Sequence, residues 1–231
     1  MAREDVETLT IVPGSTEQHR RSRWRASSAD RRASVSLSEE SVVLETTAYR
    51  DGFEGFEVLL EATCKALSAS LGRTHVWRFG LRYLDEVRLP GIVHAAADWS
   101  DWMAPHLTAS VDVAADAELV GFHGDIAWKT GTDKAVTMRW GTFDQGSVLA
   151  EAMPLIRDVS PEGPMFVLDI DSYWQPQTPE RFTSAQALVT FRELHEPTGR
   201  AFQSSLTPQL REQFRKGAHD RNPSRAPNGC G

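Results

Sequence analysis

Hydrophobic periodicity in this chain switches from two residues to about 3.6, and does so twice, which restricts the fold to antiparallel strands followed by helices. Residues 22–28, 32–38 and 41–48 alternate polar and apolar side chains, with Ser-Ala-Asp and Ser-Glu-Glu breaks between them. A three-stranded meander is the expectation. The switch comes at Phe53: Phe53, Phe56, Leu59, Leu60, Thr63, Leu67 and Leu71 form one helical stripe that stops at Gly72, where a C′ glycine belongs. From His75 to Leu84 the period returns to two, with Trp77, Phe79, Leu81 and Tyr83 on one face and Arg78, Gly80 and Arg82 on the other.

The same grammar follows a short helix expected over residues 98–107, capped by Asp98 or Ser100 and stopped near Pro105. Val120, Phe122, Ile126 and Trp128 alternate, a Thr-Gly-Thr-Asp turn intervenes, and Val136, Met138 and Trp140 return as a hairpin. A helix-like turn is expected around Leu149–Ile156, then a strand carrying Phe166, Leu168 and Ile170, then a helix from Ser184 to His195. Pro197 should break that helix at Glu196, and Thr207-Pro208 should open a last one that ends at Gly217. The expected fold is α+β: antiparallel meander sheets with helices on one face, in two similar halves. The expected divisions are an arginine-rich segment (1–34), a first half (35–97), a second half (98–216) and a disordered tail (217–231).

Composition narrows function mainly by exclusion. A net charge of −7 over 231 residues disfavours general affinity for polyanions, and two isolated cysteines argue against a disulfide framework or a zinc knuckle. No long apolar run or secretory leader is read, so the expected location is the cytoplasm with no membrane partner. Neither a phosphate-cradling glycine loop nor a G-x-S-x-G elbow occurs, and no cofactor is expected. Against the overall charge, Arg20, Arg21, Arg23, Arg25, Arg31 and Arg32 cluster; an exposed hairpin explains them best, with nucleic acid a less favoured use.

Three blocks, RFGLRYLDEVRLPG at 78–91, LDIDSY at 168–173 and LHEPTGRAFQSSLTPQLREQF at 194–214, resemble an uncharacterised, sporadically distributed family of bacterial proteins known only by a catalogue number. The resemblance spans roughly residues 35–216 and implies no activity. It departs from the family in a shortened N-terminal strand and helix, and in Asp85, where members often carry asparagine. The family's distribution suggests a defence-related setting.

Alternation also projects His123, Asp125, Asp169, Asp171, Arg78, Arg82 and Arg139 away from the apolar faces of their strands. A solvated, ion-paired sheet face accounts for that pattern most simply. A binding face using Arg78, Arg82 and Arg139 comes second. A divalent metal held by His123, Asp125, Asp169 and Asp171 comes third, and would serve a hydrolase or nuclease. Trp99 and Trp102 flank a loop helix and Trp174 ends a strand beside Pro176, and the three could line a groove or cap a core. His195, with Arg200 a turn further on, fits a general base or a partner of helix-end carbonyls. The leading functional expectation is a non-catalytic binding or regulatory module for an unknown protein or small molecule, with homodimer formation open.

Overall fold

A computed structural model describes residues 2–12, 15–47, 52–72, 74–113, 117–144, 155–156 and 163–221, with side chains among them from Ser22 to Arg215. The fold is α+β, built on antiparallel sheets. It divides into two compact units: Met1–His75, Val148–Ser160 and Arg181–Leu188 in one, and Val76–Ser147, Pro161–Glu180 and Val189–Gly231 in the other.

The first unit carries a meander of four strands, β1 (Ala2–Val12), β2 (Ser15–Ser27), β3 (Ala33–Leu37) and β4 (Val42–Thr46), followed by helix α1 (Gly52–Leu71). Residues 1–34 are therefore not a separate segment, because β1 and β2 belong to the same ladder as β3 and β4. The exposed arginine face expected on β2 is inverted at its end. Arg25 is 4% exposed and Trp24 45%, because the Arg25 guanidinium finds Ser36 Oγ at 3.2 Å on the neighbouring β3 and Glu45 Oε2 at 3.9 Å on β4 beyond it. Gly72 stands just beyond α1 at φ +62°, a backbone region costly for residues with a Cβ. Leu60 and Cys64 are the buried positions of α1, whereas Leu59, placed in the stripe by its spacing, is 39% exposed.

A short β5 (His75–Val76) precedes β6 (Phe79–Val87), and the chain bends between them at Trp77, which is 66% exposed rather than core. A 3₁₀ turn follows over Ala96–Asp101, with Ala95 at its N-cap; Asp98 lies one turn in and accepts the backbone N–H groups of His94 and Ala95. Those two donors hold the Asp98 carboxyl below its ordinary range. Pro105 opens helix α2 (Pro105–Thr108) instead of stopping one, as a residue with no N–H to satisfy can at a first helical position.

Strands β7 (His123–Gly131), β8 (Lys134–Phe143) and β9 (Met165–Trp174) then form a meander, and β6 joins it beside β9, giving the order β6-β9-β8-β7. The boundary expected at residue 97 falls inside this second unit for that reason: β6 finds its hydrogen-bonding partner in a strand nearly 80 residues later. The hairpin turn between β7 and β8 passes through Asp133 at φ +56°. Of the turn expected over 149–156, only Leu155 and Ile156 are among the described residues, and neither is helical. A two-residue β10 (Glu180–Arg181) pairs with β5.

Helix α3 (Ser184–Ser205) runs unbroken through Pro197. Pro197 removes one intrahelical bond, yet the helix persists on both sides because Leu194, Thr198 and Ser205 are fully buried along its length. Thr207 caps helix α4 (Pro208–Arg221) through the N–H of Leu210, and the helix passes Gly217, where an end was expected. Residues 222–231 of the expected tail lie outside the described residues.

One face of the second sheet is its core face. Trp99, Met103, Leu107, Met138, Phe166, Leu168 and Ile170 pack there, with the Trp99 and Phe166 rings 5.5 Å apart. No helix among the described residues is long and apolar enough to cross a membrane.

Candidate functional site

The opposite face of the second sheet gathers most of the charged residues that alternation singled out. β9 supplies Asp169 and Asp171, with β6 on one side and β8 on the other. Arg139 is directly opposite Asp169, and Arg82 directly opposite Asp171. The ion pairs that form are partly diagonal. Arg82 places Nε 2.6 Å from Asp169 Oδ1 and Nη2 2.8 Å from Oδ2, the planar fork that suits a carboxylate. Arg139 approaches Asp169 Oδ2 at 3.9 Å. Arg78, just before β6, donates to Asp171 Oδ2 at 2.6 Å while its guanidinium lies 4.5 Å from the centre of the Tyr173 ring. Bonding to Asp169 pushes the Arg82 pKa up from its ordinary value, so that guanidinium stays charged at every accessible pH.

Exposure gives this ladder its sense. The Asp169 and Asp171 side chains are 13% and 25% exposed, against 46%, 57% and 71% for Arg78, Arg82 and Arg139. Carboxylates therefore lie low on the pleated surface and guanidiniums stand above them. Each guanidinium has five donors, and the ladder consumes only some of them.

The four residues of the metal reading do not converge. His123 and Asp125 are on β7, separated from Asp169 and Asp171 by the whole width of β8, and both acids of β9 already accept from arginines. Among the described residues no group of three or more histidine, cysteine, aspartate or glutamate side chains is placed to hold a metal ion. The tryptophan groove also dissolves. Trp99 is fully buried, and Trp102 is partly buried against the same core. Trp128, expected inside, is 40% exposed because β7 is the edge strand of its sheet among the described residues. Trp140 is half-buried, its indole N–H bonded to the Leu107 carbonyl at 2.9 Å.

On the core face, His195 of α3 meets the Tyr83 hydroxyl through Nδ1 at 3.3 Å. Arg200 is exposed and pairs with Glu196 one turn back on the helix, so His195 and Arg200 do not act together on one face. Below them Ser172 and Thr198 bond to each other at 2.5 Å, both fully buried, and Thr198 also donates to the Leu194 carbonyl. Spacing alone did not single out Asp85. It falls on the core face of β6, in period with Leu81, Tyr83 and Val87, so an acid interrupting that apolar alternation was the available signal. Burial pushes its carboxyl up to about 6.

No protein-family model, curated protein or solved structure matches the chain.

Proposed function

We propose that the chain is a non-catalytic binding module whose recognition surface is the Arg78–Arg82–Arg139 face of the second sheet. It would take a partner bearing carboxylate or phosphate groups. The observation that carries this reading is the layering of the ladder: two low-lying carboxylates orient three exposed guanidiniums, leaving their outward N–H donors for a planar anion. Positive charge presented this way on a chain of net charge −7 favours a local, geometric recognition over general attraction to polyanions. A metal-dependent hydrolase has no comparable support, since its four candidate residues are spread over separate strands.

Thermal melts with pyrophosphate, a short oligoglutamate peptide, Mg²⁺ and Mn²⁺ test the reading, because a ligand bound only by the native state raises the midpoint. The anions should raise it for the wild type, and the effect should vanish in the Arg82→Ala, Arg139→Ala double variant. No response to either anion, or stabilisation by the metals alone, overturns the proposal.

A further inference from the structure

β7 is a nine-residue edge strand, and every residue of it except Gly124 is exposed. Its backbone polarity follows from its one neighbour. The Thr142 N–H donates to the Phe122 carbonyl at 3.0 Å, and the register then runs without a shift from His123 opposite Gly141 to Lys129 opposite Ala135. In an antiparallel ladder bonded pairs alternate with unbonded ones, so the even-numbered residues of β7 bond to β8. The N–H and C=O groups of His123, Asp125, Ala127 and Lys129 therefore point to the open edge.

We propose that this edge is a self-association surface, and that β7 pairs antiparallel with β7 of a second copy about a dyad at Ala127. The two four-stranded sheets would become one of eight. Three independent features select this occupant. First, a register centred on Ala127 sets Asp125 opposite the partner's Lys129, and these are all residues whose backbone groups face outward, so hydrogen-bond parity and register agree. Second, on the outer face of the sheet the two symmetry-related Asp125–Lys129 pairs unite opposite charges. Shifting the register by four either way would oppose Asp125 to Asp125 or Lys129 to Lys129, and shifting by two leaves both without a charged partner of opposite sign. Third, on the other face the same register brings Ile126, 41% exposed, against the partner's Trp128, 40% exposed, in the closer unbonded pairs of the ladder. Both apolar side chains are covered in each copy. Since Asp125 is also the register neighbour of Arg139, and Arg139 of Asp169, the partner's Lys129 continues an alternation of charge already running across the sheet.

Sedimentation equilibrium of the full chain from about 1 µM to about 200 µM should show twice the monomer mass of 25.7 kDa at the upper end. Asp125→Lys alone and Lys129→Asp alone each oppose like charges at two places, and each should weaken the dimer about tenfold. Mixing the two single variants restores an opposite-charge pair at both places, so the mixture should form a heterodimer as tight as the wild type. Ala127→Pro removes the outward N–H at the dyad without touching the β7–β8 bonds and should abolish association. Circular dichroism melts establish that each variant is folded. A wild type that stays monomeric at the highest concentration overturns the proposal. So does a dimer indifferent to all three substitutions, or single variants that fail to recombine on mixing.

Discussion

Asp85 gives the fold a pH dependence with a definite sign. Its carboxyl lies on the core face of β6 beside Leu81, Tyr83 and Val87, and desolvation alone lifts it to about 6. In the unfolded chain an aspartate titrates near 3.9, so from about pH 4 to about pH 6 the folded state holds a proton that the unfolded state has released. Stability from this group is complete below pH 4, falls as pH rises through 6, and is gone above about pH 7. Two pH units of displacement at about 1.4 kcal/mol each set a ceiling near 3 kcal/mol, and partial access of water to β6 lowers the expected loss to about 2 kcal/mol. Asp85→Asn keeps the shape and removes the charge. Urea midpoints of the two proteins, measured from about pH 3.5 to about pH 8, should show the variant gaining about 2 kcal/mol at pH 8, about half of that at pH 5 and little near pH 3.5. A difference between the proteins that does not change with pH would refute the argument, and a variant less stable at pH 8 would show that the carboxylate is held by a partner.

Three further expectations concern packing and the charged face. Gly124→Ala places a Cβ 2.7 Å from Trp140 Cε2, and the indole is tethered to the Leu107 carbonyl, so the variant should lose about 1–3 kcal/mol in a denaturant titration. Phe191→Ala, at a position 2% exposed, should cost about 3–5 kcal/mol, whereas Leu59→Ala, at 39%, should cost less than about 1 kcal/mol; equal midpoint shifts would contradict the α1 face described above. Asp169→Asn removes the carboxylate beneath two mostly exposed arginines and should change stability by no more than about 1 kcal/mol, with a weaker effect in high salt. A larger loss in the melt would show that the ladder holds the sheet together.

Much of the secondary structure was legible because periodicity is a local consequence of backbone geometry. A strand turns its side chains to alternate faces wherever it lies, and a helix repeats at about 3.6 residues, so β3, β4, α1, β6, the β7–β8 hairpin, β9 and the start of α3 could be read in place. Strand parity likewise put Arg78, Arg82, Arg139, Asp169 and Asp171 on one side before any neighbour was known. What parity cannot supply is which strand lies beside which. Only the tertiary structure set β6 next to β9, which turned those residues into ion pairs, and inserted β8 between His123 or Asp125 and the β9 acids, which dispersed the metal set. Coverage was decided in the same way. Trp99 looked available from its short loop helix and is enclosed, while Trp77 and Trp128 had core-like spacing and are exposed, one at a bend and one on an edge. Pro197 shows the limit of local rules from the other side: the ring removes a hydrogen bond within α3, and burial of Leu194, Thr198 and Ser205 against the rest of the unit outweighs that loss. The chain's own pattern determined which elements form and which way their side chains alternate. Contacts between residues far apart in sequence determined which faces are covered and which charges meet, because burial depends on what arrives from elsewhere in the chain.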